Sequence, residues 1–245
     1  MIVAGIDLWH YKTIVAGITE LIDFMKWLIE EKKYELYPIR SPIIDMDLED
    51  LDILFILSPG YKIEDDEIKY IVDWVNDGGA LIVSRPASKV DNINPLLEKF
   101  GARFNGKEAE SWAFYADVPE NVLEIDEKYK KLKSILSEHP INKGLKAIAE
   151  GSPKEKYRPY LIELIDNNWE IIGATTYKGE PWPTAVIKDV ENGIVIILGL
   201  LYLFYRWKFW IDNKELEKQK DVYITNYTYI ERILKYIEKV KNKDE

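Results

Sequence analysis

Three short stretches of the sequence carry side chains able to do chemistry together. Asp7, Trp9 and His10 close the apolar run "IVAGIDLWH", Ser58 and Tyr61 follow "DILFILSPGY", and Ser84 and Arg85 end "ALIVSRP". Each run reads as a buried strand. In an open parallel sheet, the loops beyond the strands' carboxyl ends share one crevice. Asp7, His10 and Ser84 supply the residue types of a hydrolase, with carboxylate, base and nucleophile. The sequence lacks a G-x-S-x-G elbow, however, and Ser84 reads better as the end of its strand. Arg85 suits either a bidentate clamp on a carboxylate or phosphate, or a salt bridge to a local acid. His10 could hold a ligand or metal with Asp7, but a loop histidine at a strand end is the simpler reading. His139 precedes Pro140, which forces extended backbone on it, so it reads as a structural turn. The ligand-binding candidates are therefore Asp7, His10, Ser58, Tyr61, Ser84 and Arg85. No catalytic residue, metal or cofactor is assigned.

The aromatic residues suggest a different chemistry. Trp112, Phe114 and Tyr115 cluster in one aperiodic stretch, Trp182 lies in "GEPWPT", and Trp207 and Trp210 lie in "RWKFW". Tryptophans in loops stack on sugars or anchor protein interfaces, although any one of them is more simply a lid on the core. Trp112, Trp182, Trp207 and Trp210 are the interaction-surface candidates, and a homodimer or another protein is the expected partner.

Composition narrows the function classes. The 245 residues suffice for one large α/β domain, and 47% hydrophobic residues supply a full core. A formal net charge of -10 disfavours nucleic acid and anionic membrane surfaces. With no cysteine, disulfides, thiolate metal sites and cysteine nucleophiles are excluded. Abundant Lys, Glu and Ile and a sole glutamine, Gln219, resemble a thermophile's usage. The opening residues meet Asp7 too soon for a signal peptide. The longest apolar run, 193–205, is shorter than the roughly 20 residues a membrane span needs. A cytoplasmic protein is expected.

Periodicity then places the elements. Apolar residues recur at helical spacing over 13–32, 65–75 and 230–240, with "YELYPI" as a further strand. The near-continuous apolar runs at 52–60 and 80–84 imply a parallel sheet buried on both faces. Strands alternating with helices imply a doubly wound, mostly parallel, flavodoxin-like α/β sheet. The strands "YLIELI", "WEIIGATTY", "TAVIKDV" and "GIVIILG" add a β-rich C-terminal part. One domain over 1–245 is expected, with an irregular excursion at about 104–126 and a polar insertion at about 206–222.

The order of these pieces resembles the class I glutamine amidotransferase-like superfamily in its non-catalytic branch, which includes ThuA-like proteins and gliding-motility and intraflagellar-transport domains. The resemblance runs the whole chain. It rests on "DLEDLDILFILSPGYKIEDDEIKYIVDWVNDGGALIV", "INPLLEKFGARFN", "HPINKGL", "TAVIKDVENGIVIILGLLYLF" and "NYTYIERILKYI". In the catalytic branch a cysteine stands at the turn that "ALIVSRPAS" occupies here, so amidotransferase activity is excluded. The resemblance implies a binding or protein-interaction module. The alternatives are a small-molecule or carbohydrate-binding domain using the strand-end pocket, and a hydrolase using Asp7, His10 and Ser84.

Overall fold

The computed structural model describes all residues except 12–13, 88, 119–126, 146, 150–157, 201–202, 206–211, 217–218 and 242–245, with backbone alone for 14–17, 212–216 and 219–224. Among the described residues the chain is α/β, built on a mixed sheet of 11 strands. Five neighbouring strands are parallel. In spatial order they are β2 (Glu35–Ile39), β1 (Val3–Asp7), β3 (Ile53–Ile56), β4 (Ala80–Ser84) and β11 (Gly193–Leu198). β10 (Glu180–Val190) joins β11 antiparallel, and β9 (Glu170–Tyr177), β6 (Ala113–Tyr115) and β7 (Ala147–Ala149) continue the sheet antiparallel. The hairpin of β13 (Gln219–Thr225) and β12 (Asp212–Leu216) ends it.

Strand periodicity divides the core into two layers, because successive side chains leave opposite faces. From β1 and β3, Ala4, Ile6, Ile53 and Phe55 join one layer, and Leu54 and Ile56 join the other. The first layer lies under α1 (Ile14–Glu30) and α6 (Asn226–Lys241). Here Phe24 meets Phe55 and Phe204 edge-on, with ring centroids 5.3 and 5.0 Å apart. The second layer lies under α3 (Asp65–Asn76), α4 (Asn94–Lys99) and a two-stranded antiparallel ribbon of β5 (Ala102–Glu108) and β8 (Tyr160–Leu164). Two short helices, α2 (Asp45–Leu48) and α5 (Glu127–Ile135), complete the set.

Two stretches differ from the sequence reading. The region 104–126 is not simply irregular. It carries most of β5 and all of β6, with Phe104 and Phe114 buried in the core. The alternation is hidden because the second half of β5, Gly106 to Glu108, is exposed. The polar region 206–222 contributes β12 and the start of β13 as sheet strands; residues 206–211 and 217–218 lie outside the described residues. β10 also begins ahead of the expected strand "TAVIKDV" and takes in Pro181 and Pro183, with a register shift between Pro183 and Ala185. The turn itself is Lys178-Gly179, both with positive φ.

Two local features control how the elements meet. On edge strand β2, Glu35 donates to Ile2 O and Ile39 accepts from Leu8. By the alternation of a parallel ladder, Leu36 and Pro38 then turn their backbone outward. Proline has no N–H, so Pro38 blunts the free edge. At the other feature, β11 starts against the end of α3. A Cβ built on Gly193 would sit 2.0 Å from Val75 O and 2.5 Å from Gly79 O, both backbone atoms. We expect Gly193→Ala to destabilise the fold by about 1–3 kcal/mol or more through forced displacement of helix and strand. Denaturant unfolding measures this, and unchanged stability would contradict the packing described.

Candidate functional site

The carboxyl ends of β1, β3 and β4 do converge, and the chemistry there is a buried charge cluster. Asp7, the last residue of β1, turns its carboxylate back onto the chain. Its Oδ1 accepts the N–H groups of Trp9 (3.0 Å) and His10 (3.1 Å), and its Oδ2 lies 2.9 Å from His10 Nδ1. The other ring nitrogen, Nε2, lies 3.3 Å from Glu67 Oε2. Glu67 sits in the first turn of α3 and accepts the backbone N–H of Ile43 (2.7 Å) and of Glu64 (2.9 Å). His10 O accepts the N–H groups of Gly60 and Tyr61. Asp7 and His10 are each 1% exposed, and Glu67 is 5% exposed.

This geometry favours an imidazolium. A neutral ring has one N–H and would turn a lone pair toward one carboxylate, whereas the charged ring donates to both. Burial alone would lower the His10 pKa. The hydrogen bonds and charges of Asp7 and Glu67 outweigh it and hold the pKa above its ordinary value of 6.5. With both nitrogens committed to carboxylates, His10 has no position from which to act as a base on Ser84.

Ser84 is fully buried and its Oγ accepts the N–H of Ser58 (2.8 Å). Ser58 is also fully buried and adopts a φ of 53°, uncommon for a non-glycine residue. A polar chain continues from it. Ser58 hydrogen-bonds to Tyr205, whose hydroxyl touches that of Tyr11, and Tyr11 donates to Glu20 Oε2 at 2.6 Å. Burial pushes the Tyr205 phenol up to about 12 despite its hydrogen bonds with Tyr11 and Ser58. Arg85 turns away toward the ribbon. Its guanidinium donates to Glu108 Oε1 at 3.0 Å and to Arg158 O, and lies 3.7 Å from the ring centroid of Tyr160. The arginine is 5% exposed.

Six expected residues thus fall into three arrangements. Asp7 and His10 share one cluster, Ser58 and Ser84 share a second, and Arg85 stands apart. Tyr61 is 57% exposed and meets the first cluster only through its backbone. Among the aromatic candidates, Trp112 and Trp182 are half-buried, and Trp207 and Trp210 lie outside the described residues. The sequence reading missed Glu67, Tyr11, Glu20 and Tyr205. Glu67 carried one local signal, its place three residues after Glu64 at a helix start, where an acid folds back onto the N-cap backbone. The described residues include no group of three or more metal-ligating side chains poised for an ion, and no helix long and apolar enough to cross a membrane.

Comparison with known proteins defines the fold class. No protein-family model matches the sequence, and no curated protein matches it. Solved structures do. The chain is similar to the mmIFT52 N-terminal domain, with a TM-score of 0.65 and 12% identity, covering 96% of this chain and 97% of that one. It is similar to a putative ThuA-like protein from Bacteroides uniformis ATCC 8492, with a TM-score of 0.59 and 11% identity, covering 96% and 91%. The exo-beta-1,4-mannosidase Op5Man5 from Opitutaceae bacterium strain TAV5 gives a TM-score of 0.51 at 14% identity; the match covers 82% of this chain and 31% of the enzyme. The chain therefore has the ThuA-like and IFT-type fold that its motif order resembles. At these identities the likeness is one of fold alone.

The charge cluster generates a pH dependence with a definite sign. A histidine whose folded pKa lies above its unfolded value stabilises the fold fully below about pH 6.5, and that contribution is lost as pH rises through the folded pKa. We expect unfolding free energy to fall on the alkaline side of this window. His10→Ala should cost about 3–5 kcal/mol by leaving two buried carboxylates unpaired, and should abolish that fall. Denaturant titrations across pH measure both; a wild-type stability that does not fall over this range would refute the imidazolium.

Proposed function

We propose that this chain is a non-catalytic binding module on a doubly wound, flavodoxin-like scaffold, and that it engages a basic amphipathic segment of another protein at the carboxyl edge of its parallel strands. One observation carries the reading. The side chains there that could do chemistry are tied to one another, while their immediate neighbours present apolar surface to solvent. Trp9 beside His10 is 44% exposed, Tyr61 bonded to His10 O is 57% exposed, and Ile44 beside Ile43 is 48% exposed. Met46, two residues further, is 79% exposed. The cluster fixes the backbone at each of these attachment points, so the apolar groups stand on rigid supports. Aromatic and aliphatic anchors of this kind supply most of the energy of a protein interface.

The flanking charges favour a basic partner. Asp45, next to Ile44, and Asp65 and Asp66, in the first turn of α3 beside Glu67, are exposed acids near these apolar groups. Such a rim attracts lysine and arginine and steers association. Asp7 and His10 support this surface from below, Ser58, Ser84 and Arg85 stand apart from it, and none of them contacts the partner.

The test uses a synthetic amphipathic helix of leucine and lysine, with a leucine–glutamate helix as control. The lysine peptide should bind the wild-type protein. A Trp9→Ser, Ile44→Ser, Tyr61→Ser triple variant, which keeps every acid, should bind it at least about thirtyfold more weakly, equivalent to about 2 kcal/mol for a lost anchor. Equal binding by the triple variant, measured by calorimetry, would overturn the reading.

A further inference from the structure

The charge cluster joins two groups of the exposed apolar side chains through a contact that one proton controls. Trp9 adjoins His10, and the Tyr61 amide is held by His10 O. Asp7 holds the amides of Trp9 and His10 and faces the ring at Nδ1. Across the cluster, Glu67 holds the amide of Ile43, next to Ile44, through Oε1. Its Oε2 holds the amide of Glu64 at the start of α3 and faces His10 Nε2.

The two contacts of the ring are unequal. The Asp7 contact is the shorter, 2.9 Å against 3.3 Å, and it is local, between residues three apart. The Glu67 contact spans 57 residues of chain. A neutral imidazole has one N–H to give. Its better place is Nδ1, because Asp7 is nearer and is itself fixed by two amides. Nε2 then turns a lone pair toward Glu67 Oε2. The two repel, and the buried carboxylate has lost the cation that offset its desolvation. Glu67 is the less buried of the two acids, and its neighbours Asp65 and Asp66 are exposed, so its path to water is short.

Among the described residues, charged groups act on the ring from two elements, Asp7 from β1 and Glu67 from α3. The segment after β2 meets Glu67, and the loop after β3 meets His10 O, through backbone amides. The two acids outweigh burial and keep the proton on the ring beyond its ordinary value of 6.5. The exposed acids nearby, and lysines on a partner, hold their charges through the pH range in which the ring loses its own.

We propose that His10 is a proton switch for the apolar surface: the protonated ring holds Trp9 and Tyr61 together with the Ile43 to Ile44 segment, and the neutral ring releases Glu67 and that segment with it. The switch itself stands on the cluster; its effect on a partner rests on the docking reading above. A lysine-bearing partner held only by exposed acids would bind equally across this range, so a loss of affinity toward alkali is the signature of the switch.

Imidazole nitrogens and backbone amides of labelled protein would be followed by nuclear magnetic resonance from about pH 5.5 to about pH 9.5. The chain has two histidines, and burial displaces His139 the other way, so the two titrations separate. His10 should titrate above 6.5 and leave a neutral ring protonated on Nδ1. The amide protons of Ile43 and Glu64 should move upfield with the same midpoint, as loss of their acceptor requires. The leucine–lysine helix should bind about tenfold or more weakly at the alkaline end. In Glu67→Gln the side-chain amide can donate to the neutral ring, and in His10→Gln nothing titrates, so in both the fall should vanish. A His10 that keeps one protonation state, a neutral ring protonated on Nε2, or Ile43 and Glu64 amides that hold still would each overturn the switch. A fall in affinity that persists in whichever of the two variants folds would overturn it equally. A peptide that binds at no pH would count against the docking reading, and the imidazole and amide signals would still decide the switch.

Discussion

A buried histidine between two buried carboxylates organises the carboxyl edge of this sheet. Desolvating three charged groups is costly, and the cost is offset only because each carboxylate oxygen also receives a hydrogen bond. Asp7 spends its second oxygen on the two amides of its own turn; Glu67 spends its own on Ile43, and its His10-facing oxygen also accepts from Glu64. The cluster thereby fixes four chain segments at once: the exit of β1, the segment after β2, the exit of β3 and the start of α3. The geometry of the surrounding surface follows from it.

The same arrangement explains why side chains with catalytic potential serve the scaffold here. A general base needs one nitrogen free, and a nucleophilic hydroxyl needs a base beside it. His10 has committed both nitrogens, and Ser84 Oγ faces the Ser58 amide. Arg85 is stacked and paired on a ribbon that covers the opposite layer. Among the described residues, the polar groups at these strand ends bond to one another.

Much of the scaffold was legible because it follows simple periods. β4 lies where its apolar run begins and ends, and α3 is bounded by first-turn acids and by Gly78 at a φ of 117°. What could not be read was pairing across long separations. His10 and Glu67 are 57 residues apart, and Tyr11 and Tyr205 are 194 apart. Nothing local in the sequence specifies those contacts. β8 was read as a strand, but its pairing with β5 was not, because one half of β5 is exposed and polar.

The proline on edge strand β2 gives the sheet a closed end and an extensible end. Beyond β2 a new strand would meet a position with no amide to offer, so register could not propagate outward. At the far side, β13 and β12 have been laid outside β7, and β12 is itself an edge. The two ends of the sheet therefore offer a further strand different edges: β2 presents a position without an N–H, whereas β12 contains no proline.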